Sequence, residues 1–308
     1  MSSASAPQRT TSNALKQRWV LSLSIVLVAV IWSYLPTLIE MGMKWESDPQ
    51  YSHGYLVPLF VIALLWIRRD QLKAEELRPN YWGIPLLLMA LGLRLFGAFY
   101  HYLWFDAISI VPTLLSLAFL LGGAEAWKWS WPALLFTVFM VPLPFSVEQA
   151  LREPLRNIGT VTSTYVLQTI GLPAVSEGNV IIISEGEEEH RLGVEEACSG
   201  LRMLVIFFAL STAVAILSER PLWERIFIIF CAIPIALISN IIRITATGIL
   251  YVTVNAEVAK MVFHDLAGWL MMPLALAMLW LLNWILTNLF IDEQRLNIRL
   301  GLGSSKGA

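Results

Sequence analysis

The chain has 308 residues, room for two soluble domains at roughly 150 residues each. Yet 57% of it is hydrophobic and only 14% charged, against roughly 25% charge in an ordinary soluble domain. That little charge cannot coat a water-facing surface, so most of the chain is expected in lipid. A net charge of −2 gives no field for nucleic acid, and two cysteines, Cys198 and Cys231, cannot staple a secreted disulfide scaffold.

A helix needs about 20 mostly apolar residues to cross a bilayer. Taken in chain order, eight segments qualify, near 19–39, 52–67, 82–100, 107–123, 130–145, 199–217, 226–250 and 266–289. The expected fold is an all-α polytopic membrane protein of about eight transmembrane helices. Residues 1–18 are polar and Ser/Thr-rich and read as a disordered tail; 291–308 form a second tail. The first apolar run has no small-residue cleavage site and exceeds the 7–15 residues typical of a signal peptide core, so it reads as an uncleaved span.

Orientation follows from basic residues between spans. With the N-terminus inside, thirteen of the 21 Lys and Arg fall on the cytoplasmic side and five outside, and Arg94, Arg202 and Arg243 lie within spans. Both tails are therefore expected in the cytoplasm of a cell with this protein in its inner membrane. All four histidines (His53, His101, His190 and His264) then fall at the outer edge, with Cys198. The longest loop, about 146–197, is also outside. Its first half places Val147, Leu151, Leu155, Ile158, Val161, Tyr165 and Ile170 at helical spacing, which predicts an amphipathic interfacial helix. Residues 179–194 read as a short β-hairpin.

Three pieces carry chemistry. In Glu195-Glu-Ala-Cys-Ser-Gly-Leu-Arg202, Cys198 opens the sixth span, where helix N-terminal N–H groups favour a thiolate. Arg202 lies one turn deeper, and Glu195 and Glu196 push the other way. A buried structural cysteine remains an equal reading, and Arg202 either tunes the thiol or braces the helices. In the seventh span, Arg243 lies roughly 10 Å below an outer edge near Leu250. An intramembrane arginine is costly and points to function, and Asn240 shares its face; structural pairing with an acidic residue is the alternative. In Phe263-His-Asp-Leu-Ala-Gly-Trp269, His264 stands at the entrance to the eighth span as a proton carrier. His53, in Tyr51-Ser-His-Gly-Tyr55, is a weaker supporting candidate, and Arg94 has no surrounding motif and could simply snorkel. No metal-ligand spacing such as His-Glu-x-x-His occurs, so neither metal nor other cofactor is expected.

The ordered set Glu195–Arg202, Asn240-Ile-Ile-Arg243 and Phe263–Trp269 resembles the exosortase/archaeosortase family. Tyr51-Ser-His-Gly-Tyr-Leu-Val-Pro58 and Phe139-Met-Val-Pro-Leu-Pro144 resemble further landmarks of it, so residues 19–290 read as one transmembrane exosortase domain. The resemblance implies a membrane cysteine transpeptidase that cleaves exported proteins bearing a C-terminal tail of short motif (PEP-like in one bacterial class), apolar helix and basic cluster. It implies Cys198 as nucleophile, Arg243 as oxyanion or motif binder and His264 as general acid/base. The partners would be those exported proteins, the bilayer, and an acceptor amine or lipid of unknown identity. A transporter or flippase for an envelope precursor is the rival reading. It uses Arg243 but leaves Cys198 without a purpose. A scaffold is a second rival.

Overall fold

The computed structural model describes residues 8–73, 76–185, 188–194, 200–254 and 267–289. Its chain forms two compact units, Met1–Pro144 and Phe145–Ala308.

The first unit contains helices α1 (Gln8–Ser47), α2 (Leu56–Ile67), α3 (Gly83–Tyr100), α4 (Leu103–Ile108) and α5 (Ile110–Leu135), with 3₁₀ turns at Pro49–Tyr55 and Phe136–Met140. The helix α5 breaks at Gly123, whose φ of 67° and ψ of −152° suit no side-chain-bearing residue. The chain reverses there, as three sets of contacts require. On α1, the Tyr34 hydroxyl lies 2.7 Å from Ser109 Oγ and 2.9 Å from Thr113 Oγ1, and Trp45 Nε1 donates to Met140 O at 3.0 Å. Tyr34 and Trp45 are separated by about 16 Å of helix, whereas Thr113 and Met140 on a straight rod would stand about 40 Å apart. The 38-residue apolar stretch Leu103–Met140 is therefore two antiparallel arms. The first packs against α3, with Gly83 beside Ser116 and Leu120 and Gly97 beside Phe105 and Asp106. The second packs against α2, with Phe60 on Phe136 and Arg68 donating to Trp129 O.

The second unit contains α6 (Phe145–Ile170), strands β1 (Ala174–Glu177), β2 (Val180–Glu185) and β3 (Glu188–Gly193), then α7 (Leu201–Leu217), α8 (Leu222–Phe230), α9 (Ala232–Thr253) and α10 (Ala267–Leu289). The expected hairpin is β2–β3, paired from Val180↔Gly193 to Glu185↔Glu188, and β1 adds a third antiparallel strand in the order β1-β2-β3. Four residues after a glycine turn gave too short an alternation to be read as a strand beforehand. The sheet's inner face, Ala174, Ile181, Ile183, Leu192 and Val194, forms one core with Leu167 of α6 and Ile244 of α9. A second core joins Met203 and Phe207 of α7 to Ala232, Ile235 and Ala236 of α9 and Leu279 of α10.

Among the described residues, five stretches are long and apolar enough to cross a membrane: Ser24–Ser47, Gln50–Ile67, Gly83–Tyr100, Leu103–Met140 and Leu222–Thr253. Two shorter apolar helices, Leu201–Leu217 and Leu276–Asn288, lie where the sixth and eighth spans were expected. The expected spans 107–123 and 130–145 overlap the two arms that meet at Gly123, so the eight expected spans are not matched one for one. On α6, the residues facing the protein are small or polar, Gly159, Thr160, Ser163 and Thr164 together with Leu167. The apolar stripe of Val147, Leu151, Ile158, Val161, Tyr165 and Ile170 points outward and is exposed. This is the inverse of a soluble amphipathic helix, and it suits an apolar solvent on the outward face.

Candidate active site

Arg243 sits about halfway along α9 and is 9% exposed. Its Nη2 donates to Asn240 Oδ1 at 3.1 Å, one helical turn back, and its carbonyl accepts from Thr247 Oγ1 at 2.9 Å. Asn240 itself is 1% exposed. Two glycines from neighbouring elements close on its carboxamide. A Cβ on Gly159 of α6 would lie 3.1 Å from Asn240 Nδ2, and one on Gly200 would lie 3.2 Å from the same atom. Gly200 is the residue that enters α7, at φ +62°, the left-handed region that favours glycine. Asn240 is thus the point at which α6, α9 and the entry to α7 meet, and it holds one nitrogen of the guanidinium.

This packing changes the picture of depth around Arg243. Beyond it, Gly248 of α9 meets Leu167 and Ile183, and Ile249, Tyr251 and Val252 pack on the sheet core. One face of the last turns of α9 is covered by α6 and the sheet. Arg243 lies at the base of that cap, with α6 running parallel to α9 from the Gly159–Asn240 contact to the Leu167–Gly248 contact.

Cys198 and His264 lie outside the described residues, as do Glu195, Glu196 and Asp265. The chain on either side of the Cys198 segment is described: Val194 is fully buried in the core containing Ile244, and Gly200 abuts Asn240. Arg202 is half-buried in the first turn of α7.

His53 belongs to the first unit. Its Nδ1 lies 3.2 Å from Gln50 O and its Nε2 3.1 Å from Phe139 O. Beside it, Gly54 is pressed against Trp45, with room for no side chain, since a Cβ would come within 2.5 Å of the indole. The two upstream landmark segments around His53 and Phe139 are therefore one construction, in which side chains from 45–53 hold the main chain of 139–140.

Arg94 does not snorkel. It forms an ion pair with Asp106 (Nε to Oδ1, 3.2 Å), lies over the Tyr34 ring at 4.2 Å and donates to Ser33 Oγ and O. Asp106 also accepts from Thr37 Oγ1. The acidic partner was not foreseen because Asp106 lies just before the expected fourth span, in what is helix α4.

The glycines around Asn240 were likewise missed in the sequence. The signal was present: Gly159, Ser163 and Leu167 repeat at i, i+4, with Thr160 and Thr164 alongside, a small-residue stripe that lets helix backbones approach closely. Among the described residues no group of His, Cys, Asp and Glu could hold a metal ion.

Residues 45–281 match the family model described as transmembrane exosortase (Exosortase_EpsH). The chain belongs to the transmembrane exosortase family. The family comprises membrane proteases and transpeptidases that act on exported proteins with sorting signals. The matched region begins at Trp45, whose indole holds Met140 O, and includes every site residue named above. No curated protein and no solved structure matches the chain.

Proposed function

We propose that this exosortase is a cysteine transpeptidase that cleaves a C-terminal sorting tail, PEP-CTERM-like in form, on the extracytoplasmic face of the inner membrane. The observation that carries the site reading is the packing of Asn240, which accepts from Arg243, against Gly200, two residues from Cys198 in sequence. In one domain of about eight spans, both termini are cytoplasmic. The cations Arg68, Lys73, Arg78 and Lys128 favour this orientation, since they gather near the Gly123 turn, the end of the first unit opposite Trp45 and His53.

The Cys198 thiolate attacks the motif's carbonyl carbon, and the negative charge on oxygen is met by Arg243 and the N–H groups at the start of α7. The peptide C–N bond breaks as His264 delivers a proton to the departing amine, which leaves an acyl thioester on Cys198. An acceptor amine then attacks the thioester and gives its proton to His264 as the C–S bond breaks, which restores the Cys198 thiolate. Asn240 orients Arg243, and Arg202 and His53 are supporting residues.

The test is processing of an exported protein with a motif, apolar helix and basic tail, from the same organism, by the enzyme in membranes. Cys198→Ala should leave the tail uncut while the protein inserts and accumulates normally, because loss of a nucleophile costs orders of magnitude in rate. Unchanged cleavage in that variant overturns the assignment.

A further inference from the structure

The antiparallel ladder fixes which main-chain groups of β3 are used. Val194 N–H donates to Asn179 O at 2.9 Å, and on the other side of β2 Ser184 N–H donates to Pro173 O at 3.0 Å. Hydrogen-bonded and non-bonded pairs alternate along such a ladder. With Ile181↔Leu192 and Ile183↔His190 in register, the groups of Leu192 and His190 point to β2. Those of Glu189, Arg191 and Gly193 point away from the sheet. Among the described residues, no strand and no backbone hydrogen bond covers that outward edge. The side chains of Glu189 and Arg191 are exposed, 3.6 Å apart, and a Cβ on Gly193 would meet nothing within 4 Å.

The sheet's other edge is different. On β1, Ala174 N–H donates to Leu172 O at 2.9 Å and Ala174 O accepts from Gln168 Nε2 at 2.8 Å, so of its two outward residues, Ala174 and Ser176, the first is satisfied within the fold. The open edge is the one whose strand continues through buried Val194 into the segment carrying Cys198, five residues beyond Gly193 in sequence.

We infer that the outward edge of β3 is a binding site for an extended peptide segment of the substrate, held by main-chain hydrogen bonds to Glu189, Arg191 and Gly193. A row of alternating N–H and C=O groups is matched by another extended main chain and by little else. This mode tolerates varied side chains and explains how a short motif is held straight as it enters the active centre. The inference rests on the peptidase reading and names its docking surface.

The experiment measures cleavage of a synthetic tail peptide (extended polar segment, apolar helix, basic cluster) by the full-length enzyme in lipid nanodiscs. Arg191→Pro removes an outward N–H that no internal ladder bond uses, a position where an edge strand accepts proline. It should raise KM about five- to tenfold with kcat held, the effect of one lost main-chain bond, while Ser176→Pro, at an outward position of β1 on the opposite edge of the sheet, stays near wild type. Equal KM for the two variants overturns the inference. A second measurement needs no variant: single amide-to-ester replacements along the peptide should weaken binding at every second residue before the cleaved bond. Uniform indifference to those replacements also overturns it. Wild-type enzyme that leaves the peptide intact defeats the peptidase reading itself, and the docking site with it.

Discussion

Gly123→Ala tests the reversal on which the first unit depends. Gly123 has φ 67° and ψ −152°, a region essentially closed to other residues, and holding one there costs about 1–3 kcal/mol. A Cβ would also lie 2.1 Å from Arg78 O and 3.3 Å from Arg78 C. The obstruction is main chain, so no rotamer relieves it; the 77–80 segment or α5 must move by about 1 Å, against close-packed neighbours. The two costs together reach about 3 kcal/mol or more, enough to lower Tm by about 6 °C or more for a unit of this size. Thermal unfolding of purified protein in nanodiscs is the assay, with Gly92→Ala as the control. Gly92 is in α3 with nothing within 4 Å of its Cβ position, so alanine there should leave Tm unchanged or slightly raised. Equal melting of the two variants would refute the claim that the chain must turn at Gly123.

Other outcomes follow from the same geometry. Asp106→Ala strands Arg94 and should cost about 2–3 kcal/mol, since breaking a part-buried pair leaves one charge uncompensated; the double variant Arg94→Leu/Asp106→Leu should recover most of that loss, and additive losses in a double-mutant cycle would sink the pairing. Gly200→Ala meets both a left-handed φ and the Asn240 carboxamide, so about 1–2 kcal/mol of strain falls at the entry to α7; cleavage of the tail peptide should slow, and wild-type turnover would contradict it. Arg243→Lys keeps the charge but loses the planar nitrogen that bonds Asn240; kcat should fall at least about tenfold, and a lysine enzyme of full kcat would remove Arg243 from the active centre.

The apolar content, the apolar runs and the ordered motifs were enough to specify a helical membrane protein, the approximate ends of α2, α3, α7 and α10, the amphipathic helix α6 and the β2–β3 hairpin. These features are local: periodicity and composition report on stretches that bury or expose their own side chains. The family resemblance was legible for the same reason, because the motif residues are contiguous in each segment.

Composition could not decide what meets what. Arg94 looked like an isolated cation because its partner Asp106 sits one residue before the expected fourth span, and only the packing of α3 against α4 joins them. A glycine in a long apolar stretch marks equally a tolerated residue and a reversal, and the contacts of α1 with both arms distinguish the two at Gly123. Depth was inferred from apolarity, which treats protein and lipid as the same solvent; the sheathing of Gly248 and Ile249 by α6 and the sheet separates them. The site around Asn240 belongs to this second kind of information. Close approach of three backbones is a property of pairs of surfaces, and no single segment's sequence contains it.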